Sequence, residues 1–299
     1  MSTTKTVISA ASKAMKIVRR RSSDRGHASH GWLNSYHTFS FAQYHDPAFQ
    51  SFGSLRVLNE DRVAPQSGFP THPHRDAEIF SYILSGELTH RDSMVSKKSD
   101  ADMLSSKNDF FRMHRGDVQF TTGGTGIAHS EQNEHVSDEV HFLQIWALPW
   151  EKGLPPTYHT ETFPERDKRD RFVTILSPLK AGPEATRAEE KDAVPIIEGT
   201  IPIHADFLMG ASIVSKGAKA SWTVGGGGGD GAAVRGKRGR KVYVHLPMRR
   251  VGAKVRVGGG EVVLGEGDGA FVGGVEAGDE LVVESVGEGE AEVVVLDSD

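Results

Sequence analysis

Apolar residues along this chain fall in short runs broken by glycine, asparagine and acidic turn residues, a spacing that fits strands and not helices. In the first half the runs are SFGSLRVL, AEIFSYILSGELTHRDS, GDVQFTTGGTGIAHSEQ and VHFLQIWAL. Short strands with glycine-rich punctuation predict a sandwich or a barrel. The second half keeps the β character in valine-rich form, as HADFLMGASIV, KVYVHLPM, AKVRVGGGEVVLGEGDGAFVGG, DELVVESV and EAEVVVLD. Those strands, with Gly and Asp turns, predict a second small barrel. The expected fold class is all-β.

Interruptions in the pattern divide the chain. Residues 95–115 are polar and aperiodic between two strand candidates, and read as an extended hairpin loop. Pro149, Pro155, Pro156 and Pro164 precede the charged PERDKRDRF and the Ala/Glu-rich PEATRAEEKDA, which read as a linker with one short helix. The expected organisation is a tail over 1–15, a first barrel over 16–152, a linker over 153–193 and a second barrel over 194–299. Inside the second barrel, VGGGGGDGAAVRGKRGRK reads as a flexible loop ending in a basic cluster. A solvated loop and a contact for nucleic acid or nuclear import both fit it.

Composition narrows the classes. A length of 299 residues suits two domains, and 37% hydrophobic with 25% charged residues is globular composition. A net charge of -5 gives no general attraction to nucleic acid or acidic membranes, so no direct nucleic-acid binding is expected. The absence of cysteine excludes disulfides, Fe–S clusters, thiol catalysis and thiolate zinc sites. No apolar run reaches the ~18 residues of a membrane-spanning helix, and a cytoplasmic or nuclear location is expected. The opening MSTTKTVISAASKAMKIVRRRSS is basic, Ser/Thr-rich and free of acids, so mitochondrial import is the alternative to a short tail running into a first strand at KIVRRR.

One constellation carries chemistry. His72 and His74 lie in GFPTHPHRDAEIFSYILSG, and His129 and Glu131 in GTGIAHSEQN. Side chains alternate along a strand, so each pair projects to one side and two strands bring four ligands together. Three imidazoles and a carboxylate suit iron(II), manganese, nickel, cobalt, copper or zinc, and the spacing leaves the metal open. A pair of exposed or hydrogen-bonded histidines is the bland alternative for either segment taken alone. Glu78 shares the parity of the histidines unless a bulge intervenes, so spacing leaves Glu78 and Glu131 as rival fourth ligands. His204 and His245 stand alone in the second half and are expected to be structural or exposed. Arg75 is assigned no role. Trp32, Phe39, Phe41 and Phe52 are expected in core packing, with an aromatic cleft as the alternative.

Four segments together, GHASHGWLNSYHTFSFAQYHDPAFQSFGSLRVLNED, FPTHPHRDAEIFSYILSGELTHRDS, TTGGTGIAHSEQN and HFLQIWALP, resemble the pirin family of the cupin superfamily over roughly residues 16–150. The resemblance weakens beyond the linker, where it rests on GEGDGAFVGG and the strand order. It implies a bicupin of two jelly-roll-like barrels, with one iron site in the N-terminal barrel and none in the C-terminal barrel. Carried onto this chain, the ligands implied are His72, His74, His129 and Glu131, with Fe(II) as the metal. Glu78 then becomes a carboxylate that orients a ligand imidazole. The resemblance further implies quercetin 2,3-dioxygenase activity, in which a flavonol meets dioxygen and its heterocycle opens with loss of carbon monoxide. Glu131 would be both ligand and the base that accepts the flavonol proton. Its non-enzymatic alternative is an iron- and redox-dependent binding module for a transcription factor, which RGKRGRK favours and the net charge opposes. Three features depart from the family pattern: the 95–115 loop, the Gly-rich basic insertion and the N-terminal tail.

Overall fold

Strands whose every residue is apolar or shielded must be covered on both faces, and this requirement organises the molecule. A computed structural model describes residues 15–94, 111–184, 186, 193–226 and 239–299. The tail over 1–14 and most of both the 95–115 loop and the Gly-rich insertion lie outside the described residues.

Twelve strands precede the middle of the chain: β1 (Lys16–Arg20), β2 (Gly26–Ser29), β3 (Leu33–His37), β4 (Leu55–Val63), β5 (Ser67–His74), β6 (Glu78–Ser85), β7 (Leu88–Asp92), β8 (Phe111–Met113), β9 (Asp117–Thr122), β10 (Ile127–Asn133), β11 (Val140–Ala147) and β12 (Thr157–Thr162). All but β1 form a seven-stranded sheet ordered β12-β9-β6-β11-β4-β3-β2 and a four-stranded sheet ordered β5-β10-β7-β8. The remaining strands are β13 (Val173–Pro178), β14 (Ile201–Ile203), β15 (Phe207–Val214), β16 (Lys219–Thr223), β17 (Arg240–His245), β18 (Lys254–Val257), β19 (Val263–Gly265), β20 (Gly269–Val275), β21 (Glu280–Ser285) and β22 (Ala291–Ser298). These repeat the plan, with a large sheet β1-β20-β17-β22-β15-β13-β14 and a small sheet β16-β21-β18-β19. The architecture is an all-β bicupin.

Strand exchange ties the halves together. β1, expected to open the first barrel, pairs antiparallel with β20 of the second half. The segment expected as linker supplies β12 to β9 of the first half and β13 to β15 of the second, besides the short helix Glu165–Lys168. Each exchanged strand satisfies backbone groups that would otherwise leave a sheet edge open.

The two large sheets share a core. Leu58 of β4, Phe80 and Tyr82 of β6, Phe120 of β9 and Leu143 and Ile145 of β11 pack with Leu176, Phe207, Met209, Tyr243 and Leu296 of the second half. Their neighbours in sequence point the other way, into the first barrel. There the alternate positions are Asn59, Asp61, Ser81, Gln119, Thr121 and Gln144, all buried. Only a small apolar cluster, including Ile83, Leu88 and Phe142, fills the rest of that barrel. Trp222, Val244, Leu264, Val283 and Val295 fill the second barrel instead. A polar interior in one barrel and a packed one in the other places the chemistry in the first.

Polar groups also cross the junction. Glu60, fully buried, accepts from Arg25 Nη1 at 3.1 Å and from the Met248 N–H at 2.6 Å, and lies 2.9 Å from His141 and 3.0 Å from His245. Burial pushes its carboxyl up, yet the hydrogen bonds from His141 and His245 and the Arg25 charge hold it well below the usual range. His204 meets Glu78 in the same junction, Nδ1 to Oε2 3.4 Å. Both lone histidines of the second half are therefore structural. Arg240, counted in the basic cluster from sequence, is 1% exposed and ion-paired to Asp297 and Asp206.

Candidate metal centre

Register brings the two histidine segments face to face. β10 runs antiparallel to β5 with His129 opposite His72 and Ile127 opposite His74, so three imidazoles project into the first barrel together. Their ligand atoms lie within 4.8 Å of one another. The register then slips by one residue between His129 and Glu131, a bulge carried by β5, while β10 stays in regular register with β7 and keeps Glu131 on the side of His129. Gly68 sits beside that slip, where a Cβ would lie 2.2 Å from the Glu131 carbonyl oxygen. A side chain at 68 would push the strands apart at the site.

The hydrogen bonds around the imidazoles set their tautomers. His72 Nδ1 lies 2.8 Å from the Pro70 carbonyl, which can only accept, so Nδ1 donates and the Nε2 lone pair faces inward. His129 Nε2 is 3.1 Å from His72 Nε2, and His129 Nδ1 is 3.0 Å from His90 Nε2. His90 continues the line to the Tyr158 hydroxyl at 3.2 Å. His74 packs edge-on against Trp146 with ring centroids 5.0 Å apart.

Burial and mutual repulsion keep His74, His90 and His129 neutral. Desolvation and then His72 lower His74 to about 4. Desolvation, followed by the His72 and His74 charges, lowers His90 to about 3, and His129 falls to about 2 by burial and its three histidine neighbours. Burial also raises the Tyr158 phenol, aided by Asp92 and Glu131, so it remains an O–H. Neutral imidazoles, free to present a lone pair, are what a first-row divalent cation requires. The donor set fits such an ion.

Glu131 reaches the same cavity. Its Oε1 accepts from Ser81 Oγ at 2.9 Å and its Oε2 from Gln144 Nε2 at 2.8 Å, while burial raises its pKa from the usual value. A second grouping, His90 with Asp92 and His129, shares His129, and its imidazoles are already engaged with each other and with Tyr158.

Glu78 stands elsewhere. Strand β5 ends at His74, and Asp76, in the left-handed region at φ 51° and bonded to the Gly153 N–H through Oδ1 at 2.7 Å, turns the chain into the other sheet. Glu78 opens β6 there, its Oε2 accepting from Thr122 Oγ1 at 3.2 Å beside His204. It orients none of the three clustered histidines. The parity argument assumed one continuous strand, and the corner at Asp76 breaks it.

A cavity of about 330 Å³ opens onto His72, His74 and Glu131. Leu33, Phe41, Phe69 and Trp146 give it aromatic and apolar walls, and Ser35, His37, Asn59, Asp61 and Gln144 interrupt them. Its size falls within the ~300–1,000 Å³ of small-molecule pockets. Of the four aromatic residues singled out from sequence, Phe41 lines the cavity, Phe39 and Phe52 pack in the shared core, and Trp32 packs edge-on to Phe69. Arg75 is exposed, 3.7 Å from Asp76. Sequence reasoning missed Asn59, Asp61, Ser81, His90, Gln144 and Tyr158. For Ser81 and Gln144 the signal was present, as single polar residues between apolar neighbours, whereas Asn59 and Asp61 sit in the unbroken polar run Asn59–Arg62.

A bicupin with a histidine cluster and a ligand cavity in one barrel defines the class. The pirin family model matches residues 18–147, and the chain belongs to the pirin family. A Zymomonas mobilis protein, whose name assigns it provisionally as a quercetin 2,3-dioxygenase, is 40% identical over 67% of this chain and 73% of its own length. The Escherichia coli K12 protein named quercetin 2,3-dioxygenase is 44% identical over 54% of this chain, a match that spans 63% of that relative. Among solved structures, YhhW from E. coli superposes with a TM-score of 0.72 at 30% identity, covering 95% of this chain and 98% of that one. A second structure, described as bacterial pirin YhhW in complex with nickel(II), gives a TM-score of 0.69 at 30% identity, covering 95% of this chain and 99% of that one. Among the described residues, no helix is long and apolar enough to cross a membrane.

Proposed function

We propose that this chain is a metal-dependent dioxygenase of the quercetin 2,3-dioxygenase type, holding one divalent ion, iron(II) by preference, on His72, His74, His129 and Glu131. The observation that carries the reading is the junction of three clustered imidazoles and a buried carboxylate with one aromatic-lined cavity. The names of the relatives and the nickel complex of the E. coli pirin support it.

When bound, the ion supplies Lewis acidity that lowers the pKa of a phenolic hydroxyl and an open position for dioxygen. The protein's own residues prepare the ligand. Phe41, Phe69 and Trp146 offer flat apolar surfaces to an aromatic ring system and displace water from it. Glu131 takes the hydroxyl proton on a carboxylate oxygen, and burial, which raises its pKa, strengthens it as the acceptor. Ser81 and Gln144 fix the carboxylate orientation by donating to its two oxygens. Among the described residues, apolar side chains fill the other barrel, and the ion is assigned to the first.

Purified protein loaded with iron(II) and supplied aerobically with quercetin should lose flavonol absorbance and release carbon monoxide. His74→Ala should abolish both. Equal absence of turnover in the iron-loaded wild type and the variant would remove the enzymatic reading.

A further inference from the structure

Four polar side chains in the cavity have no part in holding the ion or moving the flavonol proton. Strands β3 and β4 pair so that Ser35 faces Asp61 and His37 faces Asn59, and all four residues line the cavity. His37 Nδ1 lies 2.9 Å from Asn59 Oδ1 and 3.4 Å from Ser35 Oγ. The Ser35 hydroxyl donates to Asp61 Oδ1. No described residue hydrogen-bonds Asp61 Oδ2.

Asp61 is 3% exposed, and an ionised carboxylate so buried requires a cation. The nearest candidate, Arg25, is committed to Glu60 at 3.1 Å on the opposite face of β4. Burial first, then the neighbouring Glu131 and Glu60 charges, push the Asp61 carboxyl up to about 7. Its Oδ2 offers a hydrogen-bonding atom on a wall that is otherwise largely apolar. Oδ2 opens to the cavity, so a ligand that covers it and displaces its water must replace the lost hydrogen bond, which favours a ligand hydroxyl there.

We propose that Asp61, held by Ser35, is the specificity-determining residue of the cavity, its Oδ2 receiving a ligand hydroxyl other than the one directed at the histidines. The cavity then selects polyhydroxylated flavonols over flavonols that carry the 3-hydroxyl alone. This rests on the dioxygenase reading for the ligand class, while its evidence is the cavity wall.

The test compares quercetin with 3-hydroxyflavone, which lacks the other hydroxyls. Binding to the iron-loaded full chain without oxygen is read by quenching of tryptophan fluorescence, and turnover is read in parallel with oxygen. Wild type should prefer quercetin by about tenfold, the worth of one well-made hydrogen bond. Asp61→Leu should bring the ratio close to one by weakening quercetin alone, with iron content unchanged. Asp61→Asn, whose amide still donates and accepts, should keep most of the preference. Ser35→Ala, which removes the orienting hydroxyl, should lower it several-fold and serves if Asp61→Leu does not fold. An unchanged ratio in Asp61→Leu or Ser35→Ala overturns the proposal, as does equal binding of both flavonols by wild type. Preference lost in Asp61→Leu with no turnover of either flavonol upholds Asp61 and removes the dioxygenase. Equal turnover of both by wild type does the reverse, and a wild type that neither binds nor consumes them removes both.

Discussion

The Nε2 atoms of His72 and His129 face each other across 3.1 Å, and the Pro70 carbonyl fixes which of them carries hydrogen. His72 donates through Nδ1 to that carbonyl, so in the metal-free protein its Nε2 must accept from His129 Nε2. His129 Nδ1 then accepts from His90 Nε2, and His90 Nδ1 from the Tyr158 hydroxyl, which gives a chain of one polarity from Tyr158 to Pro70. A cation on the His129 Nε2 lone pair forces the hydrogen to Nδ1. The chain from His129 to Tyr158 must then reverse, with His90 donating to the Tyr158 oxygen. Nitrogen NMR of the imidazoles should show His129 changing from the Nε2–H to the Nδ1–H tautomer on adding zinc, with His72 unchanged. His90→Phe removes the acceptor for that hydrogen and should weaken metal binding by about 10–100-fold.

The metal-free protein should lose stability in acid. His74 and His90 titrate near 4 and near 3 in the folded chain against 6.5 in the ordinary state. Below pH 6.5 the unfolded chain binds protons that the folded chain does not, so stability falls as pH drops toward 4, by up to about 1.4 kcal/mol per pH unit for each group. Urea unfolding of the apo protein between pH 7 and 4 measures this directly.

Asp61 works in the opposite direction. Its folded carboxyl near 7 lies above the ordinary 3.8, so the unfolded chain releases its proton first as pH rises. The associated stability is full below pH 3.8 and is lost progressively up to pH 7. Asp61→Asn does not titrate and should gain on the wild type between pH 5 and pH 7 in the same urea experiment. A constant difference across that range would mean that the buried carboxyl ionises as freely as in water.

The two glutamates should separate cleanly. Glu131→Gln keeps its contacts with neighbouring polar groups yet cannot take a proton, and should cut flavonol turnover by about 10²-fold or more. Glu78→Gln changes a residue packed against Thr122 and His204 at the junction of the halves, and should lower stability while leaving bound iron and turnover near wild type. Metal analysis decides the matter: iron lost in Glu78→Gln and kept with full activity in Glu131→Gln would reverse the assignment.

Arg25 and Glu60 form a fully buried pair, 3.1 Å apart, between the barrels. Arg25→Ala leaves the Glu60 carboxylate with two histidines and a backbone N–H but without its fixed cation, and should cost about 3–5 kcal/mol. Denaturant unfolding followed by tryptophan fluorescence, with Trp222 reporting the second barrel, gives the value.

Local sequence determined a good deal of this protein. Strand alternation is a property of the backbone of one segment, so it alone put His72 and His74 on one side, and His129 and Glu131 on one side. Run length and turn residues likewise determined an all-β chain in two halves. Tertiary structure decided what those sides face. Parity cannot carry past a corner, so the left-handed turn at Asp76 removed Glu78 from the site without any mark in the spacing. Nor can alternation tell inside from outside when both faces are buried: Leu58 and Asn59, or Ile145 and Gln144, are equally hidden, and only sheet stacking shows that the polar member of each pair lines a cavity. The same holds for Asp61, Glu131 and the line from His129 to Tyr158. Their partners come from other strands, and the hydrogen bonds that give them chemistry exist only once β3, β4, β7, β10, β11 and β12 have closed around one interior.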